Sequence, residues 1–264
     1  MDTSNQQWQI IIVVIVALLI LGGGLWFILG RASIGIEAPS PTATSTATTT
    51  ISGVTGTGSF TVSGDDVIDL MPPDFRAPIT FSAGISAEVK AAINVRHAQI
   101  VSTLSKDTFD LGAWIDLGAL RKMAGDYKGA ETAWLFVTKA APNNEIAYNN
   151  LGDLYMNFLN DYPKAEAMYL KAIAIDKTLV GSYEALAMLY EHFYKIQTSA
   201  AEDILKKGIA ANPSSVDLKV QLARYYTNAL LKDKARAVYQ AAIDAANAQG
   251  QSDLVAQIRE EAGL

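Results

Sequence analysis

Residues 145–179 read EIAYNNLGDLYMNFLNDYPKAEAMYLKAIAIDKTL, and this stretch decides the fold. Its apolar and small residues recur every three or four positions in two runs, which is the spacing of two amphipathic helices. Between the runs, residues 160–163 read NDYP. Asparagine and aspartate favour turns, and proline is accepted in the first turn of a helix. The stretch therefore predicts one helix–turn–helix unit.

This unit occurs four times in the chain. Related segments begin at residues 111, 145, 180 and 216, so their starts lie 34, 35 and 36 residues apart, and together they cover residues 111–249. The first helix of the copies shares an aromatic residue (Trp114, Tyr148, Tyr183), a leucine (Leu117, Leu151, Leu186, Leu222), a small residue (Gly118, Gly152, Ala187, Ala223) and a tyrosine (Tyr155, Tyr190, Tyr226). The second helix shares an alanine (Ala130, Ala165, Ala201, Ala235) and a large apolar residue (Trp134, Tyr169, Leu205, Tyr239). Small residues allow the two helices to approach closely, and large residues fill the space opposite.

These positions and their period resemble the tetratricopeptide repeat (TPR), whose signature runs W-x2-L-G-x2-Y, then A-x3-F, then A and P. Pro142 and Pro213 supply the closing proline in two copies. Departures from the signature are Arg121, Lys219, Val137, Gly208, Lys177 and Asn247. The resemblance implies an all-α solenoid of four repeats, closed by a polar capping helix at residues 250–264. The helical composition of residues 85–106 and the capping residue Ser86 predict a leading helix.

The resemblance also implies a binding surface. TPR proteins usually hold ligands in a concave groove lined by the first helix of each repeat. Carried onto this chain, the groove positions are Ile115, Ala119, Lys122, Asn149, Asp153, Met156, Glu184, Met188, Glu191, Val220, Arg224 and Thr227. The middle of this set is acidic and contains two methionines, so the expected ligand is an extended or helical segment with apolar anchors and a basic group. The alternative is that these residues are ordinary solvated surface.

The N-terminal part of the chain predicts a membrane anchor. Residues 10–29 read IIIVVIVALLILGGGLWFIL, without a charged side chain. About 20 helical residues span roughly 30 Å, the thickness of the hydrocarbon core of a bilayer. We expect a transmembrane helix at residues 10–30 after a short tail, residues 1–9. The alternative is a cleaved signal peptide, but such peptides have shorter apolar regions and a basic start.

Two segments of different composition follow the apolar run. Residues 31–64 are rich in Thr, Ser, Pro and Gly and nearly uncharged, which predicts a flexible linker. Residues 65–84 contain three prolines and several large apolar side chains, which favour an extended strip. We expect this strip to lie against the folded domain. Whether residues 67–81 enter the groove is left open by the sequence.

Composition limits the chemistry. The chain has no cysteine, two histidines and a net charge of −6. No P-loop, zinc-protease, esterase or kinase motif occurs. A basic stripe of the kind that binds nucleic acid is also missing from the sequence. We therefore expect no catalytic activity, no cofactor, no bound metal and no nucleic-acid partner.

The expected function is a membrane-anchored scaffold that binds a protein or peptide. The alternative is a self-associating structural component of an envelope or surface assembly, that is, a homo-oligomer. We expect a single-pass protein of the cell membrane with its repeats outside the cytoplasm, because Thr/Ser-rich stalks are common there. Arg31 alone would favour the opposite orientation.

Overall fold

The computed structural model describes residues 70–196 and 198–264. The described part contains ten α-helices, which confirms the all-α prediction for these residues. Their bounds are α1 Ala87–Lys106, α2 Leu111–Ala124, α3 Tyr127–Ala140, α4 Glu145–Asn157, α5 Tyr162–Ile175, α6 Val180–His192, α7 Ala200–Ala211, α8 Val216–Asn228, α9 Lys232–Ala248 and α10 Ser252–Ala262.

The predicted tail, membrane helix and linker lie outside the described residues, as does the start of the strip. Among the helices from α1 to α10, none is both long enough and apolar enough to cross a membrane.

The helices stack in chain order. The pairs α2/α3, α4/α5, α6/α7 and α8/α9 are hairpins, and the second helix of each hairpin packs on the first helix of the next. First helices of successive hairpins also touch, although less extensively. Each unit therefore contacts mainly its neighbours along the chain, which is the arrangement of a helical solenoid.

Side-chain caps define where several helices begin. Side-chain oxygens at six N-caps accept a hydrogen bond from a backbone N–H in the first turn, namely those of Ser86, Asp110, Asp126, Asn144, Asp161 and Ser215. Such a cap contributes about 1 kcal/mol to stability. The turn sequences between the helices thus fix the repeat boundaries locally.

In each of the first two hairpins, a glycine of the first helix packs against an aromatic ring of the second helix. A Cβ built on Gly118 would lie 2.3 Å from Nε1 of Trp134, and one on Gly152 would lie 2.7 Å from the ring of Tyr169. Trp134 and Tyr169 are each only 1% exposed. The glycine and aromatic positions recognised in the sequence therefore form the tight contact within each hairpin.

The turn inside each hairpin requires a left-handed backbone conformation. The residues that adopt it are Gly125 (φ 81°), Asn160 (φ 53°), Lys195 (φ 59°) and Leu230 (φ 60°). Glycine adopts positive φ without steric cost and asparagine does so more readily than other residues. Lysine and leucine occupy this conformation at an energetic cost.

The described part of the strip packs on the first hairpin and hydrogen-bonds to it. Phe75 and Ile79 are 5% and 7% exposed, and Phe75 makes an edge-on contact with Trp114 at 6.0 Å between ring centroids. The backbone N–H of Ser82 donates to the carbonyl of Ala124 at 2.9 Å. The described part of the strip therefore extends the apolar core over α1 and α2 at the N-terminal end of the stack.

Candidate functional site

A cleft of about 570 Å³ lies between α6, α8 and α10. Its lining comprises Glu184, Met188, Glu191 and His192 from α6, Asp217, Val220, Gln221, Arg224 and Asn228 from α8, and Leu254, Gln257, Ile258 and Glu261 from α10. Helix α10 begins 36 residues after α8, so it stands where the first helix of a fifth repeat would begin. The cleft is thus bounded by the first helices of successive units.

Five of the twelve predicted groove residues meet in this cleft, namely Glu184, Met188, Glu191, Val220 and Arg224. The other seven lie elsewhere on the first helices. Six of them belong to α2 and α4, namely Ile115, Ala119, Lys122, Asn149, Asp153 and Met156. The seventh, Thr227, lines a separate hollow of about 270 Å³ beside Tyr239.

The α2–α4 part of the predicted surface offers little for a ligand. Met156 is only 4% exposed and belongs to the hydrophobic core, so it is not accessible groove surface. Lys122 and Asp153 are joined by an ion pair of 2.7 Å. Asn149 accepts a hydrogen bond from Ser182 at 2.7 Å. These polar side chains connect one repeat to the next.

The floor of the cleft is apolar. Ile258 and Val220 are 2% and 8% exposed, and Leu254 is half-buried. Met188 is 41% exposed and presents an accessible thioether. Methionine adapts its shape readily to an apolar partner. The cleft can therefore accept an apolar side chain.

The rim of the cleft is acidic because the one arginine in its lining, Arg224, is paired with a carboxylate of the same cleft. Arg224 makes two hydrogen bonds of 2.7 Å each to the carboxylate of Glu261, from Nε and from Nη2. This bidentate pair lowers the pKa of Glu261 and ties α8 to α10. Among the described residues, no lysine or arginine pairs with the carboxylates of Glu184 and Asp217.

The carboxylate of Asp217 also affects that of Glu184. Burial raises the pKa of Glu184, and the nearby charge of Asp217 raises that pKa further. Glu191 accepts a hydrogen bond of 3.2 Å from the amide of Asn228, which is a neutral donor. The cleft therefore concentrates negative charge above an apolar floor, and a cationic group entering it would relieve the repulsion.

Sequence reasoning missed the contribution of α10. The sequence predicts only a polar capping helix here, yet this helix supplies four cleft residues, including Ile258 on the floor and Glu261 on the rim. The 36-residue spacing from Val216 to Ser252 is the signal that could have identified it as a further first helix. The strip does not line this cleft in the described residues.

Searches against protein-family models and against curated proteins found no match for this chain. Among solved structures, a crystal structure of MamA is 26% identical, with 58% of this chain and 89% of that chain covered and a TM-score of 0.43. YrrB, described as a TPR protein with an unusual peptide-binding site, is 15% identical, with 62% and 90% covered and a TM-score of 0.45. PilF of Pseudomonas aeruginosa is 15% identical, with 65% and 83% covered and a TM-score of 0.49.

All three TM-scores lie below 0.5, so the fold assignment rests on this chain's own helices and repeat positions. Four hairpins with a period of 34 to 36 residues and a small residue against an aromatic ring define a helical repeat array. In these respects the chain resembles TPR proteins.

Proposed function

We propose that this protein is a non-catalytic scaffold that binds a segment of another protein in the cleft between α6, α8 and α10. The bound segment carries an apolar side chain and at least one lysine or arginine. The observation that supports this proposal is the combination of an apolar floor at Val220 and Ile258 with the uncompensated carboxylates of Glu184 and Asp217.

Each part of the cleft has a separate effect on a bound segment. An apolar side chain that reaches the floor contributes about 1.5–3 kcal/mol when fully buried. A cation on the rim contributes mainly to specificity and to the rate of association, because opposite charges steer the encounter. A segment that ends in a free carboxylate is disfavoured in this cleft, because Arg224 already forms an ion pair with Glu261.

The proposal includes a tether to the cell membrane through the apolar run at residues 10–30. The linker at residues 31–64 would allow the repeats to move about 30 Å from their attachment, as expected of a random coil of this length.

We propose that the repeats lie outside the cytoplasm, because Thr/Ser-rich stalks are common there. Protease added to intact cells or spheroplasts then removes the repeats, whereas protection until lysis indicates the opposite orientation.

The cleft is tested with two synthetic helical peptides that share their leucine positions but carry either lysine or glutamate at the remaining ones. The full-length protein in detergent is titrated with each peptide by calorimetry. We expect binding of the Leu/Lys peptide and at least about tenfold weaker binding of the Leu/Glu peptide. The double variant Glu184→Lys with Glu191→Lys should reverse this preference.

A matched control makes the same change of charge outside the cleft, with Asp244→Lys on α9 and Glu260→Lys on α10. Both side chains are exposed and neither lines the cleft. This control variant has the same net charge as the cleft variant and should retain the preference of the wild type. Equal loss of binding in both variants would show that overall charge, rather than the cleft, selects the peptide.

A further inference from the structure

Leu230 occupies an unfavourable position in two independent respects. It is 80% exposed, the largest value among the exposed large hydrophobic residues of the described chain. It also has a φ of 60°, in the left-handed region. Glycine or asparagine would suit both the solvent and the backbone better, and two of the three equivalent turns use Gly125 and Asn160, while the third uses the polar residue Lys195. Strained backbone conformations cluster at functional sites such as ligand clamps and switch segments.

The surroundings of Leu230 are basic. Leu231 is 41% exposed beside it, and Lys232, Lys234 and Arg236 follow, with Asp233 as the one carboxylate in between. Among the described residues, Lys232 and Arg236 form no ion pair, whereas Lys234 forms a long ion pair of 3.9 Å with Glu202. In a chain of net charge −6, this turn presents an apolar tip with positive charge behind it.

This turn has the chemistry that the cleft requires. The cleft offers an apolar floor and the unpaired carboxylates of Glu184 and Asp217, and its volume of about 570 Å³ exceeds that of a leucine side chain several times. The turn offers Leu230 with Lys232 and Arg236. Charge and polarity are therefore complementary between two surfaces of the same chain.

We propose that Leu230 of one copy inserts into the cleft of a second copy, and that the two copies exchange this contact reciprocally. This inference rests on the proposed function, because it names an occupant for the same cleft. Asn228 lines the cleft and lies only two residues before Leu230, so the inserting turn and the receiving cleft are adjacent on one molecule. Adjacent complementary surfaces suit a closed two-fold dimer in which both contacts are made.

The dimer is tested with the full-length chain in density-matched detergent, by sedimentation equilibrium. Leu230→Asn removes the apolar tip and keeps a residue that accepts positive φ, so the turn should still fold. We expect it to weaken dimerisation at least about tenfold, since a buried leucine is lost at each of two contacts. Leu230→Met retains an apolar tip and should preserve the dimer. Met71→Asn, which changes a residue that is 75% exposed on the strip, should have no effect.

Mixing two defective variants gives the decisive result. A chain with Leu230→Asn has an intact cleft, and a chain with Glu184→Lys and Glu191→Lys has an intact turn. Their mixture retains one of the two contacts, so heterodimers should form more readily than either homodimer. A wild type that stays monomeric at all concentrations, or a mixture no better than its components, would overturn the inference.

The peptide titration separates this inference from the proposed function. If dimerisation occupies the cleft, Leu230→Asn should bind the Leu/Lys peptide more tightly than the wild type does. If the peptide binds but Leu230→Asn changes neither the dimer nor the affinity, the cleft remains a peptide site and the second copy is not its occupant. If neither peptide nor second copy binds, both ideas are wrong.

Discussion

The hydroxyl of Tyr155 donates a hydrogen bond of 2.8 Å to the carboxylate of Glu131, which lies in the preceding repeat. The same 24-residue relationship joins Tyr226 to Glu202 at 2.8 Å, and it also joins Tyr190 to Glu166. Each pair connects the first helix of one hairpin to the second helix of the hairpin before it. These three bonds fix the register between neighbouring repeats.

Within residues 70–264, no hairpin precedes the first repeat, and the repeat's residue at the tyrosine position differs. Arg121 is 6% exposed and donates to the carbonyl of Ala77 in the strip at 2.7 Å. It also forms an ion pair with Asp126. The departure from the repeat signature therefore has a structural reason, because Arg121 hydrogen-bonds to the strip, whereas the later tyrosines hydrogen-bond to a glutamate of the preceding hairpin.

We expect Tyr155→Phe to lower the free energy of unfolding by about 1–3 kcal/mol, because the Glu131 carboxylate loses a donor while it stays buried. Urea unfolding of the full-length protein in detergent measures the change. Tyr148→Phe provides the control, since Tyr148 has no carboxylate hydrogen bond among the described residues. A similar loss in both variants would mean that the ring environment matters rather than the bond to Glu131.

Arg121→Met should loosen the strip. The variant leaves the largely buried side chain of Asp126 without its cationic partner, although the hydrogen bond from the Gly129 N–H remains, so we expect a loss of about 1–3 kcal/mol in the free energy of unfolding. Hydrogen exchange at the Ser82 amide, which donates to Ala124, should accelerate strongly. Arg96→Met, which removes the exposed ion pair with Asp116, is the comparison and should leave the Ser82 amide protected. Unchanged protection in Arg121→Met would show that the apolar contacts of Phe75 and Ile79 hold the strip alone.

Two glycines should respond oppositely to alanine. Gly118→Ala places a Cβ about 2.3 Å from Trp134, so we expect a loss of about 1–3 kcal/mol in the free energy of unfolding. Gly181→Ala meets nothing within 4 Å and lies in the helix α6. It should stabilise the protein by up to about 1 kcal/mol, because alanine favours helix. Thermal unfolding of both variants checks the contrast, and equal effects would contradict the proposed close approach of α2 and α3.

Glu184→Gln should stabilise the protein at neutral pH. The pKa of Glu184 is raised by burial and by Asp217, so its ionised form costs stability in the folded state. Below the unfolded-state pKa of about 4.3, the carboxyl is protonated in both states and the folded protein pays no cost for its charge. As the pH rises through the raised folded-state pKa, the carboxyl ionises in the folded protein and the free energy of unfolding falls. The advantage of the variant should therefore be present at about pH 7 and vanish below about pH 4. Glu260→Gln on the exposed face of α10 is the matched control, and an equal gain in stability at pH 7 in both variants would show that the burial of Glu184 is not the cause.

The apolar run at residues 10–30 should keep the full-length protein in the membrane fraction after a carbonate wash, because about 20 uncharged apolar residues are enough to span a bilayer. N-terminal sequencing of the purified protein is the matching measurement. A chain that begins after Arg31 and is found in the soluble fraction would show that the run is a cleaved signal.

The hairpins could be predicted from the sequence because the features that form them are local. Small and large residues recur at fixed positions, and Gly118 meets Trp134 within a single hairpin. The cleft could be predicted only in part, because it depends on contacts between distant residues. The bidentate pair between Arg224 and Glu261 spans 37 positions and decides which carboxylates remain free. Burial of Met156 likewise follows from its neighbours in space rather than from its place in the repeat.

The fastening of the strip determines how a pulling force would travel through the molecule. Any tension applied to the chain before residue 70 reaches the stack through Phe75, Ile79 and the bonds of Arg121 and Ser82. That load is delivered to α1 and α2, at one end of the stack, whereas the cleft lies between α6, α8 and α10 near the other end. A force between the N-terminal part of the chain and a partner held in the cleft would therefore pass through the interfaces between successive hairpins, from the first hairpin to α10.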